Sequence, residues 1–575
     1  MKGQMMHYPL TTNAIIEFGN RVFPHKEIIS HLPDGTRHQY NFRDLYQRAK
    51  KLAHALVHQL NIKRGDKVAT FAWNHYQHLE LYYAIPGVGA VCHPLNIRLS
   101  GEQVEYIVNH AEDKVIFIDA TLVPFFEKIA PLTPMVQRFV LLNAPEGFTT
   151  NLVGAIHYEE LLANAGDNME WLPVDENDAC AMCYTSGTTG APKGVVYSHR
   201  SVYLHAQVLM TPNAANISMQ DKVLLVVPQF HVLGWGFPYI CVMAGADMVM
   251  PSCHLQPAAL VNLLRVEKIT VATGVPTIWM GIYEVLKKEG LKEPLALREY
   301  MVGGSAMPLS LIRNLEKDFG IRGTHAWGMT ETSPLGTGCR PQAIHNDLPE
   351  DDRYKILAKQ GIEFPGVEIR IIKEDGEPAP KDGKVSGELQ IRGAWVIDSY
   401  YKMEDNSAFF SADGWFKTGD IGTIDADGFL RITDRKKELF KTSGGKYIAP
   451  QPVEQAIKGS RFVNQVVLIG AGRKFPAALI VPNWEQIDSY RKLKGIAVTN
   501  RSELCRHPRI INLFERQVDK LTADLARYEK VKKIALLENE LTIEGGELTP
   551  TLKVKRRVID EKYRDVIDQL YSEAE

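Results

Sequence analysis

Residues 184–194 read YTSGTTGAPKG and follow directly on the apolar run ACAMC at 179–183, which predicts a buried strand. The glycines of this stretch expose backbone N–H groups, the serine and threonine hydroxyls add hydrogen-bond donors, and Lys193 adds a fixed positive charge. A flexible linker would need neither the lysine nor the buried strand before it. The stretch therefore predicts a loop that binds a polyphosphate.

The spacing within this loop differs from that of a Walker A phosphate loop. A Walker A loop has adjacent Gly and Lys residues, and a Ser or Thr follows them. Here Ala191 and Pro192 separate Gly190 from Lys193, and Gly194 comes next. The sequence therefore indicates a phosphate loop of another kind.

The composition is that of a large globular protein. At 575 residues the chain exceeds the size at which one hydrophobic core keeps growing, so several packed units are expected. Hydrophobic residues make up 45% and charged residues 23%, which argues against disordered, collagen-like and membrane-embedded classes. The 66 Lys and Arg residues balance 68 Asp and Glu residues, so the net charge does not favour a nucleic-acid partner, and charged ligands must be bound locally.

The cysteines and the N-terminal residues indicate the cellular compartment of the protein. Seven scattered cysteines, mostly in apolar surroundings, indicate reduced thiols in a cytosolic protein. Cys180 and Cys183 form a C-x-x-C pair, but no second pair of ligands accompanies them, which disfavours a metal or redox role. The first residues contain no apolar stretch of signal-peptide length, and no uninterrupted apolar run reaches transmembrane length. The sequence predicts a cytoplasmic protein without a transmembrane segment.

Helical and strand-like patterns alternate through the first half of the chain. Residues 45–60 and 78–90 read as helices on either side of a strand at 67–73, and the same rhythm recurs up to residue 303. This alternation predicts largely parallel sheets that are covered by helices. From about residue 345 to residue 433, short strands separated by Gly, Asp and Pro turns predict a β-rich subdomain.

A polar stretch near Asp434 predicts a domain boundary. The segment 433–438 reads TDRKKE, and two adjacent glycines follow at 444 and 445. Beyond this boundary, strands are predicted at 465–469 and 477–481, and charged helices at 503–526 and 558–571. The predicted domains are therefore 1–433 and 434–575.

Five further motifs follow the phosphate loop in order: Phe230-His231, Gly303-Gly304-Ser305-Ala306, Trp327-Gly328-Met329-Thr330-Glu331, Gly414-Trp415-Phe416-Lys417-Thr418-Gly419-Asp420 and Asp434-Arg435. With the loop they resemble the adenylate-forming superfamily, which contains acyl-CoA synthetases, luciferases and peptide-synthetase adenylation domains. The resemblance covers nearly the whole chain. It implies an α/β fold with a large N-terminal domain of mixed, largely parallel sheets and a small, mobile α+β C-terminal domain.

The resemblance also implies the residues that bind the nucleotide. Thr185 and Glu331 would bind Mg²⁺ and contact phosphate oxygens, a role that suits their oxygen ligands. Trp327 would stack on adenine, and Asp420 and Arg435 would hold the ribose hydroxyls. The residues implied for ATP and coenzyme A are Ser186, Gly187, Thr188, Thr189, Gly190, Lys193, Gly303, Gly304, His325, Ala326, Trp327, Thr330, Asp420, Arg435, Lys437, Lys441, Gly445 and Tyr447.

A catalytic lysine is expected near the C-terminus. A carboxylate that attacks the α-phosphorus of ATP joins two anions, so catalysis must neutralise charge and align the reacting groups. The family takes this lysine from a Gly-Lys-x-x-Arg context in the mobile domain. Here the aligned stretch ELTPTLKVKRR lacks the glycine but keeps Lys553, which the motif position favours over Lys555. The same resemblance places the hinge at Lys437 and the passage for the coenzyme A thiol near Gly445 and Tyr447.

The segment 230–237, FHVLGWGF, bears on the acid that is activated. Adenylation domains for amino acids carry an Asp just after this Phe, which pairs with the substrate ammonium. This segment contains no acidic residue, and a buried, unpaired ammonium is costly. The segment resembles fatty acyl-CoA synthetases, and this implies that Trp235 gates a hydrophobic acyl tunnel and that His231 also binds the acyl group.

The expected function is ATP-dependent activation of a medium- to long-chain fatty acid as acyl-AMP, followed by transfer to coenzyme A. The small-molecule partners are then the fatty acid, ATP and coenzyme A, with Mg²⁺ as the metal. An acyl-AMP ligase that loads a carrier protein would share every ATP motif and stays open as the alternative. The family resemblance also allows a homodimer. The C-terminal domain resembles a different long-chain branch from the rest of the chain, as a natural mosaic or an engineered hybrid would.

Overall fold

The computed structural model describes residues 1, 3–167, 169–185, 191–290, 293–444, 446–523, 525–549 and 554–572, with the backbone alone at Tyr447. The strands are β1 (Glu27–His31), β2 (Arg37–Asn41), β3 (Lys67–Phe71), β4 (Val91–Pro94), β5 (Asp113–Asp119), β6 (Arg138–Leu142), β7 (Ile156–His157), β8 (Ala179–Tyr184), β9 (Gly194–Ser198), β10 (Lys222–Leu224), β11 (Asp247–Met250), β12 (Val271–Gly274), β13 (Glu299–Val302), β14 (Arg322–Gly328), β15 (Leu335–Gly338), β16 (Ile362–Glu363), β17 (Val367–Ile372), β18 (Gly387–Gly393), β19 (Phe416–Ile424), β20 (Leu430–Arg435), β21 (Phe440–Lys441), β22 (Tyr447–Ile448), β23 (Val463–Ile469), β24 (Ala477–Pro482) and β25 (Lys533–Leu536).

The helices are α1 (Thr12–Val22), α2 (Phe42–His58), α3 (Tyr76–Gly87), α4 (Gly101–Ala111), α5 (Val123–Phe126), α6 (Tyr158–Ala163), α7 (His199–Leu209), α8 (Phe237–Ala244), α9 (Pro257–Val266), α10 (Pro276–Glu289), α11 (Leu309–Phe319), α12 (Glu350–Leu357), α13 (Pro450–Lys458), α14 (Trp484–Leu493), α15 (Arg501–Arg506), α16 (Pro508–Leu521), α17 (Arg556–Lys562) and α18 (Arg564–Ser572). Across the described ranges, none of these helices is both long and apolar enough to cross a bilayer.

Residue contacts divide the chain into two compact units. The first comprises Met1–Ile369 and Ile391–Phe416, and the second comprises Arg370–Gln390 and Lys417–Glu575. The α/β fold with a large first unit and a small second unit agrees with the fold expected from the sequence. The functional boundary expected near Asp434 stays a prediction, because contacts report compactness rather than motion.

The first unit contains a seven-stranded sheet in the order β7-β6-β5-β3-β4-β8-β9. All neighbouring strands are parallel except β8 and β9, which are antiparallel. Because β8 is parallel to β4, the end of β8 lies at the carboxyl edge of the parallel strands, where open α/β sheets bind their ligands. The residues expected to form the phosphate loop begin at this edge.

A nine-stranded sheet, ordered β16-β15-β14-β13-β12-β10-β11-β1-β2, is the second sheet of this unit. In this order, the six neighbouring strands β14, β13, β12, β10, β11 and β1 are parallel. Antiparallel strands pair at both ends of the sheet, β15 and β16 at one end and β2 at the other. Apolar side chains, including the fully buried Trp279 and Tyr300, pack into one core on this sheet. Phe230-His231 follows β10 and Gly303-Gly304 follows β13, so two predicted motifs again lie beyond the carboxyl ends of parallel strands.

Local sequence explains where the helices next to these sheets begin. Asn41 caps α2 by accepting from the Asp44 N–H, and the Asp44 side chain accepts from the Asn41 N–H in return, which satisfies two donors of the first turn. Helix α2 then buries an apolar stripe on one face. Helix α3 is buried on every face and contacts both β1 and β8, so it joins the two sheets.

The second unit has its own sheets and core. Strands β23, β24 and β25 form a three-stranded sheet, antiparallel between β23 and β24 and parallel between β24 and β25. Val453 and Ile457 of α13 pack with Phe514 of α16 in the core beside this sheet. Strands β17, β18, β19 and β20 pair in that order into a four-stranded sheet, which agrees with the short strands expected in this region.

Two helices that the sequence predicted as continuous are each divided. The range 503–526 contains α15 and α16, because Pro508 lacks an N–H and starts a new helix behind the cap at His507. The range 558–571 contains α17 and α18, and between them Tyr563 leaves helical geometry (φ −106°, ψ 19°), with its hydroxyl 3.3 Å from Glu547.

Candidate active site

The strand pair β8 and β9 holds both ends of the expected phosphate loop. The Thr185 N–H donates to the Lys193 carbonyl (2.9 Å), and the Lys193 N–H donates to the Thr185 hydroxyl (3.2 Å). These bonds close the loop at its base, so residue 193 is fixed opposite residue 185. Most of the loop itself, Ser186, Gly187, Thr188, Thr189 and Gly190, lies outside the described residues.

Lys193 and Glu331 share one neighbour, Tyr400. The Lys193 ammonium lies 5.5 Å from the ring centroid of Tyr400 and 5.1 Å from that of Phe409, within the range of cation–π attraction. The Tyr400 hydroxyl donates to the Glu331 carboxylate (2.7 Å). Burial, and then the Glu331 charge, raise the pKa of Tyr400, so its hydroxyl stays protonated and keeps donating. Residues 138 positions apart in the chain are thereby brought into one cluster.

Backbone contacts fix the strands on which this cluster stands. The Tyr197 hydroxyl of β9 donates to the Thr330 carbonyl (2.8 Å), and the Tyr401 N–H donates to the Gly194 carbonyl (2.9 Å). A Cβ at Gly194 would lie only 3.0 Å from the Cβ of Tyr401, so the glycine permits this close approach. Strand β9, which follows the predicted phosphate loop, is therefore joined to the predicted Thr330-Glu331 motif through Tyr197.

The Gly303-Gly304 motif follows the end of β13, and His325 lies on the adjacent parallel strand β14. Val302 pairs with His325 across β13 and β14. Burial lowers the pKa of His325 to about 4, so its ring is neutral, and its Nδ1 lies 3.2 Å from the Ala358 carbonyl. Gly304 has φ +81°, a left-handed conformation that glycine adopts without strain. The backbone turn of this motif thus depends on its second glycine.

The predicted acyl residue Trp235 packs against Gly303, a predicted nucleotide residue. A Cβ at Gly303 would lie 3.1 Å from the Trp235 indole and 3.2 Å from the Ala326 carbonyl oxygen. Trp235 is buried, with 8% of its surface exposed. The indole of Trp327 is also buried. It packs against Gly336, where a Cβ would lie only 2.4 Å from the indole. Adenine stacking on Trp327 stays a prediction.

Trp235 stands on an unusual backbone turn. Five consecutive residues, 232–236, have φ between +37° and +77°, and only two of them are glycine. The left-handed conformation costs roughly 1–2 kcal/mol for each non-glycine residue. Val232, Leu233 and Trp235 are all buried, and burying a side chain of this size contributes about 1.5–3 kcal/mol, so burial offsets the strain. His231 precedes this turn and is half-buried.

The C-x-x-C pair lies beneath this turn. Cys180 and Cys183 are buried, free thiols on β8. Burial raises the pKa of Cys183 to about 12 and also raises that of Cys180. Reactive cysteines act as thiolates, so these environments suit packing rather than chemistry.

The predicted ribose residues form an ion pair in the second unit. Asp420 of β19 lies opposite Arg435 of β20, and the Arg435 Nε is 2.9 Å from the Asp420 Oδ1. Asp420 is 3% exposed, and its N–H donates to the Thr418 hydroxyl (3.0 Å). The hairpin between β19 and β20 therefore presents a preorganised carboxylate and guanidinium side by side.

The remaining predicted residues of the second unit are placed in part. Lys437 is exposed just after β20, and Lys441 pairs with Tyr447 across β21 and β22. Gly445 and Lys553 lie outside the described residues, as does the side chain of Tyr447. Lys555 is exposed and immediately precedes α17.

The donor set around Glu331 fits Mg²⁺ bound chiefly through a substrate. Among the residues that the structure describes, no three His, Cys, Asp or Glu side chains are grouped to bind a metal. Glu331 and the Thr185 hydroxyl supply hard oxygen atoms, and Glu331 is buried with a hydrogen bond that fixes its carboxylate. Mg²⁺ is usually held by one or two carboxylates together with substrate phosphates, which matches such a sparse set.

The structure adds Tyr400 and Phe409 to the site that the sequence indicated. Both precede the Gly414–Asp420 motif and belong to none of the six motifs. Their pairing with Lys193 and Glu331 depends on tertiary contacts, and no local spacing signals it. The adjacent aromatic pair Tyr400-Tyr401 in a turn-rich region was the one signal that the sequence contained.

Known families and proteins match the chain along its whole length. A family profile described as AMP-binding enzyme matches residues 17–401, and a profile for the AMP-binding enzyme C-terminal domain matches residues 438–575. A medium-chain-fatty-acid–CoA ligase from Ectopseudomonas oleovorans is 38% identical over 568 residues, which is 99% of this chain and 98% of that protein. A long-chain-fatty-acid–CoA ligase from Thermus thermophilus is 39% identical over 489 residues, which is 84% of this chain and 88% of that protein.

Among solved structures, that of the anthranilate CoA ligase AuaEII in complex with anthranoyl-AMP is similar in fold, with a TM-score of 0.78 and 20% sequence identity. The similarity covers 98% of this chain and 99% of that chain. The six sequence motifs, the fold and the profile match to most of the chain agree with one another. The chain therefore belongs to the AMP-binding enzymes of the adenylate-forming superfamily.

Proposed function

We propose that this protein is an ATP-dependent fatty acid–CoA ligase, which converts a medium- to long-chain fatty acid to acyl-AMP and transfers the acyl group to coenzyme A, releasing AMP and pyrophosphate. The packing of Trp235 against Gly303 carries this proposal. The residue expected to line the acyl pocket therefore lies beside a residue expected to contact the nucleotide. An acyl carboxylate bound next to Trp235 would thus be close to the α-phosphate.

The surroundings of Trp235 favour an apolar acid. Every residue from Val232 to Ile240 is buried, and none of them is acidic. An amino acid bound here would leave its ammonium without a counter-charge, which costs several kcal/mol. A hydrocarbon chain gains free energy from the same burial. The buried segment without acidic residues therefore favours a fatty acid over an amino acid as the substrate.

The chain's own residues can supply the charge neutralisation that adenylation needs. Lys193 offers a fixed positive charge at the base of the phosphate loop. Tyr400 holds the Glu331 carboxylate in one orientation by donating to it. A bound Mg²⁺ would supply further positive charge to the phosphate oxygens, held by Glu331 and Thr185. Preorganised groups of this kind act without reorganising during the reaction.

The second unit contains the other residues that the family motifs imply. Asp420 and Arg435 are placed side by side to hold the two ribose hydroxyls. Lys553 would approach the α-phosphate during adenylation, and residues after the pivot at Lys437 would rotate to admit the coenzyme A thiol near Gly445 and Tyr447. These roles rest on the family motifs that the positions match.

The metal, the cellular location and the assembly of the enzyme are also part of the proposal. Magnesium is the metal that the oxygen ligands favour. A cytoplasmic location follows from the scattered, reduced cysteines. A homodimer is the assembly that the family resemblance allows, and sedimentation of the purified protein measures it.

The proposal is tested by AMP release with free coenzyme A across saturated acids from acetate to hexadecanoate. Each buried methylene contributes about 0.8 kcal/mol, so kcat/KM should rise about fourfold per carbon until the pocket is filled, and then stop rising. A flat profile from acetate to dodecanoate would reject the apolar pocket. Acyl-AMP that accumulates without conversion by free coenzyme A would favour loading of a carrier protein.

A further inference from the structure

A buried carboxylate bridges the two sides of the expected pivot. Asp434 ends the β20 hairpin three residues before Lys437, and it is fully buried. One of its oxygens accepts from the Arg435 N–H (2.7 Å), and the other accepts from the Gln451 N–H (2.9 Å). Gln451 lies in the first turn of α13, fourteen residues after Lys437. One side chain therefore joins the segment before the pivot to a helix after it.

Helix α13 depends on this carboxylate because it has no cap of its own. The cap position is Ala449, whose side chain accepts no hydrogen bond, and Pro450 follows it. The first N–H groups of a helix need acceptors from outside the helix, and an anion is favoured there by the helix dipole. Asp434 supplies both the acceptor and the charge.

The part of the chain after the pivot is held together separately by Arg556. Its Nε donates to Glu438 (2.8 Å), one Nη donates to Glu454 of α13 (2.8 Å), and the other donates to the Leu468 carbonyl (2.8 Å). Glu454 in addition accepts from the Leu468 N–H (2.7 Å). These bonds connect residues that all follow Lys437. A rotation about Lys437 leaves them intact, whereas it moves Gln451 relative to Asp434.

We propose that Asp434 is a positioning residue, whose bond to Gln451 holds the chain after Lys437 in the arrangement of this structure and thereby sets the balance between the two half-reactions. The inference rests on the proposed function, since it requires a reaction in two steps with rotation between them. Loss of the bond would destabilise one arrangement and leave the other unaffected. A charged acceptor that bonds one backbone N–H changes such a balance roughly tenfold.

The test compares Asp434→Ala with Glu454→Gln in the full-length protein. Glu454 is a matched control, because it is also a buried carboxylate that accepts a backbone N–H, but its partners lie on one side of Lys437. Two rates are measured: acyl-AMP formation from ATP and fatty acid without coenzyme A, and acyl-CoA formation from supplied acyl-AMP and coenzyme A. Asp434→Asn retains one acceptor oxygen and should give an intermediate result.

For Asp434→Ala we expect one half-reaction to slow about tenfold while the other does not slow, so that the ratio of the two rates changes. For Glu454→Gln we expect the ratio to stay at the parental value. Equal slowing of both half-reactions by Asp434→Ala, or no change in either, would overturn the positioning role alone. A parent protein that forms no acyl-AMP would instead overturn the proposed function, and the positioning role with it.

Discussion

At the scale of single residues, Tyr400 has the most direct link to the chemistry. Its ring lies beside the Lys193 ammonium and its hydroxyl donates to Glu331. The two charged groups have opposite signs. A neutral tyrosine can contact the ammonium with its ring and the carboxylate with its hydroxyl without adding a charge of its own. Tyr400 therefore orients the groups that would contact the phosphates, although it belongs to none of the six motifs described above.

Tyr400→Phe should slow acyl-AMP formation about tenfold or more, because the buried Glu331 loses a hydrogen bond to its charge while the ring beside Lys193 remains. The rate of pyrophosphate release from ATP and fatty acid measures this effect. Tyr401→Phe removes a hydroxyl from the adjacent residue, away from Glu331, and should leave that rate within about twofold of the parental value. Equal rates for the two variants would remove Tyr400 from the site.

Asp434 provides a test that depends on pH. Burial raises the pKa of its carboxyl from 3.8 to about 6, despite two backbone hydrogen bonds and the charge of Arg556. Between about pH 4 and pH 6 the folded state retains a proton that the unfolded state has lost, so the parent loses stability as the pH rises through this window. Asp434→Asn has no proton to lose there.

The stability of Asp434→Asn relative to the parent should therefore increase from pH 4 to pH 7. A shift of about two pKa units corresponds to roughly 3 kcal/mol. Thermal unfolding midpoints of both proteins at matched pH values measure the difference. A difference that is constant with pH would mean that Asp434 titrates in the folded state as it does in the unfolded chain.

At the scale of elements, the sequence predicted what depends on local pattern. The apolar run before the phosphate loop is β8, and the alternating segments up to residue 303 form the parallel sheets. Periodicity fixes which residues face a core, and this information is contained in any short window of sequence. The start of the loop after β8 and the position of Gly303-Gly304 after β13 could be predicted for this reason.

The left-handed turn at 232–236 could not be predicted from local preference. Valine, leucine and tryptophan rarely adopt positive φ, so their sequence favours an ordinary helix or strand. Burial of these side chains among distant residues offsets the strain, and burial is a tertiary property. Likewise, Asp434 caps a helix that begins sixteen residues later, and no capping pattern in the sequence reveals this.

The segment after β20 is the element on which the two-step mechanism depends. Lys437→Pro would fix φ near −65° at the expected pivot. If rotation there precedes the second step, thioester formation should slow more than adenylation, by on the order of tenfold. Lys437→Ala leaves φ and ψ free and controls for the loss of the side chain. The idea would be abandoned if the proline variant slowed both half-reactions equally.

At the scale of the whole molecule, the two compact units divide the expected roles. The phosphate loop base, Glu331 and Trp235 belong to the first unit, and Asp420, Arg435 and Lys437 belong to the second. The relatives that match both parts in one chain show that this combination recurs in nature. A division of this kind is what a reaction with two successive arrangements requires.

The central claim is that one chain forms acyl-AMP and then acyl-CoA in separate steps, and the half-reactions of Lys553→Ala test it most directly. Lys553 should be needed only while charge develops on the transferring phosphoryl group, and removal of such a donor costs on the order of 10²- to 10³-fold. Lys555→Ala is the neighbouring control. The account predicts that Lys553→Ala nearly abolishes acyl-AMP formation but converts supplied acyl-AMP and coenzyme A at close to the parental rate. Equal loss of both half-reactions in a folded Lys553→Ala protein would contradict it.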